Sequence, residues 1–352
     1  MFIMSNSGPR IKDIGEFALI ERLAEALGPV GRGAGQGVIR GIGDDAAVLQ
    51  STSGTRILAA CDMMVEGKHF KLSYFTPQQI GWKALAVNLS DIAAMGGKPR
   101  WALVSLGLKP EMEVAFAEGI YAGIAELAQE HGVTIVGGDT CASPNCLVID
   151  ICIIGEAYRS LVTYRSGANP GDLILVTGMM GLAAAGLSCL SSEEHLQIKG
   201  RERLIQAHLT PFPRVREATA LIESETVGAM NDISDGLASE LHEISQASGL
   251  GARIYQHRIP LDEAVVSLAA QLGINPLDWA LYGGEDLELL LTIPGGKGSP
   301  LKARKLARIL KRVTGTPLTL IGQMMEQTGG VELVDHHEQI LPLHAQGYNH
   351  FD

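Results

Sequence analysis

The chain holds 352 residues, 46% of them apolar and 19% charged, with 42 glycines and a formal net charge of −11. That length exceeds what one hydrophobic core usually serves, so two domains are expected. The acidic balance excludes a nucleic-acid binder built on a cationic footprint, and it suits a protein that handles anions through divalent metals.

The longest basic run, "LKARKLARILKR" at residues 301–312, alternates cationic and apolar positions as a solvated helix face does. Five cysteines, Cys61, Cys141, Cys146, Cys152 and Cys189, form no C-x-x-C pair. They read as thiols of a reducing compartment, and a cytoplasmic location is expected. "MFIMSNSGPR" lacks the charged head and apolar core of a signal peptide.

In chain order, "AAVLQ" and "TRILAACD" read as a strand pair joined by "STSG". "TPQQIGWKALAVNLSDIAAMGG" is a helix, with Ile80, Ala84, Val87 and Ala94 at near-helical spacing and a Gly-Gly stop. "WALVSLGL" is a strand. "EMEVAFAEGIYAGIAELAQEHG" is a second long helix with acids in its first turn and Gly132 as terminator. "VTIVGGD" and "LVIDICIIGEA" are strands, and turn formers cluster at residues 164–172 as a domain boundary. "LILVTGMMGLAAAGLSCL" carries no charge over nearly a bilayer-spanning length, but its glycines parse it as strand, loop and Ala-rich helix. "AMNDISDGL", the helix "ASELHEISQAS" and the strands "DLELLLTI", "PLTLIGQM" and "VELV" follow. Strands and helices do not alternate strictly. The expected fold is therefore α/β in the sense of mixed sheets layered with helices, not a doubly wound parallel fold.

"RGIGDDAAVL" places Asp44 and Asp45 side by side after a Gly-x-Gly turn. Alone this reads as a surface turn. Short apolar runs, however, end in aspartate repeatedly: at Asp62, Asp139 and Asp232, with Asp91 near a helix end and Asp235 in "SDG". Carboxylates on rigid elements facing a cleft suit a preorganised site. Unit like charges 4 Å apart repel by about 4 kcal/mol at an effective dielectric of 20, so gathering these aspartates calls for cations. Mg²⁺ takes such oxygen ligands together with substrate phosphates, and His/Cys ligand spacing for zinc or iron is absent. No P-loop, Rossmann fingerprint or kinase-type catalytic loop occurs. The glycine-dense residues 31–45 could wrap phosphates with backbone N–H groups, as could any mobile glycine loop.

"GIGDDAAV", D-x-x-V-E-G-x-HF from Asp62 to Phe70, "KALAVNLSDIAAMGG", "GGDT", "RSGA-x-PGD", "ISDGL", "GGEDLEL" and "GYNHF" occur in this order. Together they resemble the thiamine-monophosphate kinase family, within the wider superfamily of aminoimidazole-ribonucleotide synthetase and selenophosphate synthetase. The resemblance implies a two-domain PurM-like architecture: residues 1–12 an added tail, 13–165 a metal- and nucleotide-binding domain with dimer-forming strands, and 166–352 a second α/β domain. It implies Mg²⁺-dependent transfer of the ATP γ-phosphoryl to thiamine monophosphate in a homodimer, with no nucleic acid or membrane partner. By position, Asp45, Asp62, Asp91, Asp139, Asp232 and Asp235 correspond to metal ligands. Tyr121, Gly138, Asp139, Arg165 and Ser234 fall where the family contacts ATP, and His69, Glu285 and Tyr348 where it contacts the thiamine substrate.

Without the family pattern several of these have plainer readings: His69 a packed or surface histidine, Tyr121 a core residue, Arg165 and Glu285 turn residues, Tyr348 a frayed end. Ala60-Cys61 stands where many relatives carry Ser-Thr, which leaves the number of metals open, since a thiol is a poor Mg²⁺ ligand. The acceptor is an ionised phosphate, so no acid or base residue is assigned. Two other functions stay open: a superfamily enzyme acting on another acceptor, and a catalytically silent nucleotide-binding regulator.

Overall fold

Two sheets of different construction organise the chain in the computed structural model, which describes residues 9–14, 16–30, 37–40, 48–192, 197–224, 226–326 and 330–346. The chain divides into two units, Met1–Ile92 with Pro99–Glu156, and Ala93–Lys98 with Ala157–Asp352.

The first unit is built from helices α1 (Ile11–Ile14), α2 (Glu16–Ala26), α3 (Pro77–Ala94) and α4 (Val114–His131). Its strands are β1 (Val38–Arg40), β2 (Val48–Leu49), β3 (Thr55–Val65), β4 (Lys98–Leu108), β5 (Thr134–Ala142) and β6 (Val148–Tyr158). Among the described residues, the expected pairing of "AAVLQ" with "TRILAACD" does not form. Instead β2 pairs antiparallel with β1, and β3 takes the edge of a sheet ordered β3-β6-β4-β5. The "STSG" segment is held elsewhere, because Thr52 donates its N–H (2.6 Å) and hydroxyl (2.8 Å) to Glu156 on β6. Along β3 the exposed residues alternate, with Ile57, Ala59, Cys61 and Met63 on the open face.

Helix α3 is covered on nearly every side: Ile80, Leu85, Leu89 and Ile92 are buried, and so are Lys83, Asn88 and Ser90. Val87, expected on its core stripe, is only half-buried. Helices α3 and α4 meet backbone to backbone. A Cβ at Gly81 would lie 1.9 Å from the Ile120 carbonyl, and one at Gly123 would lie 1.9 Å from the Gln78 carbonyl. Helix α4 ends at Gly132 in the left-handed region (φ 65°), as expected. It begins only at Val114, because Glu111 is drawn away to pair with Arg10 (2.8 Å) and Lys12 (2.9 Å).

The second unit carries β7 (Leu173–Thr177), α5 (Leu182–Ser191), α6 (Arg201–Leu209), α7 (Val215–Ile222), β8 (Met230–Ile233), α8 (Leu237–Ser248) and β9 (Gly251–Tyr255). It continues with α9 (Glu263–Leu272), α10 (Pro276–Tyr282), β10 (Glu288–Ile293), α11 (Ser299–Thr314), β11 (Leu318–Met325), β12 (Val331–Val334) and β13 (Ile340–Pro342). The sheet order is β13-β12-β9-β11-β7-β10-β8, antiparallel except where β12 runs parallel to β9. Both faces are covered, so every residue of β7 and of β10 is buried. One face packs Ile174, Val176, Leu290 and Ile254 against Leu237, Leu241 and Leu281 of α8 and α10. The uncharged stretch 173–190 is strand, glycine loop and helix α5, and no described helix is long and apolar enough to cross a membrane.

Candidate active site

In the first unit Asp62, Asp91 and His69 lie near the end of β3, while Gly138, Asp139 and Tyr121 lie on other elements. Asp62 receives support from α3: its backbone N–H donates to Asn88 Oδ1 (3.1 Å), while Asn88 Nδ2 donates to the Ala84 carbonyl (3.0 Å). Asn88 lies one turn before Asp91 on the same helix, and the Asp62 and Asp91 side chains are hydrogen-bonded to each other. Two carboxylates are both acceptors, so such a contact needs a proton or a cation between them. Burial pushes Asp62 up and the charge of Asp150 adds to it, while the Asp91 hydrogen bond and His69 pull it down. Asp150 lies on β6.

Cys61 donates to Asp150 Oδ1 (3.2 Å). Desolvation, then this bond, pushes its thiol up to about 11. At neutral pH it is a thiol, which leaves Cys61 unsuited to replace a hydroxyl ligand.

His69 sits in the turn after β3, where its Nδ1 accepts the Val65 N–H (2.9 Å), fixing the ring proton on Nε2 in the neutral form. The buried Lys83 reaches the His69 carbonyl (3.5 Å) and the face of Phe75 (5.3 Å). Tyr121 is buried within α4, and burial alone raises its phenol. Gly138 and Asp139 lie on β5, at the opposite sheet edge from β3, and Asp139 is exposed. A Cβ at Gly138 would lie 1.8 Å from the Val104 carbonyl, so this position admits only glycine. Asp45 and Tyr348 lie outside the described residues.

In the second unit, motifs 50 residues apart in sequence meet. Strand β8 ends in the buried Asn231 and Asp232, and Ser234 and Asp235 turn the chain into α8. Glu240 in the first turn of α8 ties this turn together. Its carboxyl accepts the Asp235 N–H (3.0 Å), the Ser234 hydroxyl (3.2 Å) and Asn231 Nδ2. Burial, then the charge of Asp232, pushes Glu240 up to about 9. Arg165 donates Nε to Asn231 Oδ1 (3.0 Å) and pairs with Glu243 (3.1 Å). Glu285 donates its N–H to the Ser234 carbonyl (2.7 Å), and Leu287 to the Ile233 carbonyl (3.0 Å). A Cβ at Gly284 would meet the Ser234 carbonyl at 2.4 Å, which explains the glycine.

Sequence reasoning missed Asn88, Glu240, Arg214 and Glu288. The first two carry a readable signal, one helical turn from a predicted aspartate or just past the "SDG" turn. Arg214 and Glu288 do not: Arg214 donates Nε (2.7 Å) and Nη2 (2.5 Å) to the buried Glu288, a pairing across 74 residues.

The donor set in both units is carboxylate oxygen, as a hard cation requires, and the Asp62–Asp91 contact is a place where a cation could replace a proton. Among the described residues, no group of three His, Cys, Asp or Glu side chains is already arranged as a metal site.

Fold and site define the class first. Residues 43–157 match the N-terminal domain of AIR synthase related proteins, and residues 169–334 match their C-terminal domain. The particular family follows from whole-length relatives. Thiamine-monophosphate kinase of Bacillus subtilis (strain 168) is 39% identical over 313 residues, 88% of this chain and 93% of the relative. The crystal structure of thiamine-monophosphate kinase from Stenotrophomonas maltophilia K279a superimposes with a TM-score of 0.78 at 31% identity, covering 91% of this chain and 96% of that one. AaThiL complexed with AMPPCP and TMP superimposes with a TM-score of 0.72 at 32% identity, covering 97% and 99%. The chain belongs to the thiamine-monophosphate kinase family and is an enzyme, a phosphotransferase.

Proposed function

We propose that the protein transfers the γ-phosphoryl of ATP to the phosphate of thiamine monophosphate, giving thiamine diphosphate and ADP, by direct in-line transfer that depends on Mg²⁺. The observation that carries this reading is the whole-length likeness to AaThiL complexed with AMPPCP and TMP, an ATP analogue beside a phosphate acceptor.

The acceptor oxygen is ionised near neutral pH, so the site needs no general base. Its task is to align two anions and cover the charge of the moving phosphoryl group. The resemblance assigns Asp45, Asp62, Asp91, Asp139, Asp232 and Asp235 as the residues that would hold Mg²⁺. Bound there, Mg²⁺ would offset the repulsion between the two substrates. The chain's own groups orient the partners. Tyr121, Gly138, Asp139, Arg165 and Ser234 meet ATP, and His69, Glu285 and Tyr348 meet the thiamine moiety.

The protein acts as a homodimer through the open face of the four-stranded sheet, where Ile57 (52% exposed) and Met63 (54%) stand on the edge strand β3.

The test is purified protein with ATP, Mg²⁺ and thiamine monophosphate, following thiamine diphosphate by chromatography. Wild type forms it stoichiometrically with ADP, and Asp91→Asn and Asp139→Asn each lose at least about 100-fold in rate with unchanged circular dichroism. ADP and free phosphate without thiamine diphosphate, or a phosphorylated side chain trapped during turnover, would contradict it.

A further inference from the structure

Arg165 opens the short turn Arg165–Gly167, between β6 and β7, and its backbone is fixed on two sides. The Met230 N–H donates to the Tyr164 carbonyl (3.3 Å), and the Ser248 hydroxyl donates to the Arg165 carbonyl (2.9 Å). The turn also presses on the entry to β8, since a Cβ at Gly167 would lie 2.1 Å from the Gly228 carbonyl. The Arg165 side chain is 50% exposed, so its guanidinium reaches solvent from an anchored base.

One buried amide decides where that guanidinium points. Asn231, on β8, accepts Arg165 Nε–H at Oδ1 (3.0 Å). Its Nδ2 carries two hydrogens, one donated to Glu243 Oε2 (2.9 Å) and the other to Glu240. Glu243 in turn forms an ion pair with Arg165 Nη2 (3.1 Å), which closes a ring of three side chains. The other oxygen of Glu240 accepts the Ser234 hydroxyl (3.2 Å) and the Asp235 N–H (3.0 Å). Arg165 can only donate, and the two glutamates present acceptor oxygens. The junction between them therefore needs an acceptor at one end and a donor at the other, which an amide supplies in one orientation. Aspartate would set three carboxyl groups together, and an apolar residue would leave the Arg165 Nε–H without its acceptor.

We propose that Asn231 is a positioning residue for the nucleotide. Through Oδ1 it fixes the Arg165 guanidinium, at a set spacing from the Ser234 turn to which Glu240 ties the same amide. This rests on the kinase reading given above, in which Arg165 and Ser234 meet ATP. Asn231 is buried and touches neither substrate; it acts through Arg165, and its effect falls on nucleotide binding. A donor already held in place loses little freedom when it meets an anion, which is how supporting residues tighten a site.

The test is a double-mutant cycle on the full chain, with Asn231→Leu, Arg165→Ala and the two combined. Asn231→Leu raises the KM for ATP by at least about tenfold, the effect of removing the hydrogen bond of a charged group, while the KM for thiamine monophosphate stays within about twofold. In the Arg165→Ala background the same substitution changes the KM for ATP by less than about threefold, because the side chain it acts through is gone. An unchanged KM for ATP in folded Asn231→Leu, equal rises in both KM values, or additive effects of the two substitutions overturns the inference. Should Asn231→Leu fail to fold, ¹H–¹⁵N spectra of wild type decide, with the Arg165 Nε–H assigned by its loss in Arg165→Lys. Protection of that proton from solvent exchange supports the anchor, and exchange as fast as in an exposed arginine overturns it. A wild type that makes no thiamine diphosphate overturns the kinase reading instead, and the cycle read as dissociation constants for AMPPCP still judges the link between Asn231 and Arg165.

Discussion

The contact between Asp62 and Asp91 and a carboxyl enclosed by the α5 turn show two ways in which this chain manages acidic groups away from water. Asp286 accepts the N–H groups of Gly181 (2.5 Å) and Ala183 (3.0 Å) at the start of α5. The residue keeps slight exposure, yet its carboxyl oxygens are desolvated, and that desolvation pushes it up to about 7 against the pull of the N–H groups. An unfolded aspartate titrates near 3.9, so the folded state binds this proton more tightly. The resulting stability is fully present below about pH 4 and is lost as pH rises through about 7. Urea unfolding of wild type and Asp286→Asn should therefore differ with pH. The wild type loses about 2–3 kcal/mol relative to the variant between pH 5 and pH 8. A difference independent of pH would contradict this. None of it was legible in "GGEDLEL", where Asp286 is one acid among three; only the fold shows which of them meets a helix start.

At the scale of elements, the sequence patterns marked the long helices and the buried strands, because their apolar spacing matches their burial. Boundaries set by distant partners were not visible. Glu111 leaves the first turn of α4 for Arg10 and Lys12, and the "STSG" segment binds Glu156 rather than closing a hairpin. The short strands β9 and β13 and the helices α9 and α10 carried too little periodicity to be read. Gly81 and Gly123 form the close contact between α3 and α4. Because α3 carries Asn88 and Asp91, that contact sets the site indirectly. Gly123→Ala places a methyl 1.9 Å from the Gln78 carbonyl. It should destabilise the protein by about 2–3 kcal/mol, read as a lower urea midpoint, despite the higher helix propensity of alanine. A gain in stability would show that the helices separate freely.

For the whole molecule, the motif order identified the family and the two-domain plan, and relatives aligned over most of the chain bear that out. The identities of the candidate aspartates were readable; their surroundings were not, since Asn88 accepts the Asp62 N–H while Asp150 and Glu240 place like charge beside Asp62 and Asp232. Cys61 answers part of the question raised by Ala60-Cys61: with its thiol held protonated, the second motif has one hard side-chain ligand fewer. The central proposal is that the paired acids Asp62 and Asp91 hold a divalent cation between them when nucleotide binds. Its most direct measurement is manganese anomalous scattering from crystals grown with Mn²⁺, a non-hydrolysable ATP analogue and thiamine monophosphate. The account predicts manganese peaks at about 2.1 Å from carboxylate oxygens of Asp62 and Asp91. Those two side chains still bonded to each other, with nucleotide bound and no manganese beside them, would contradict it.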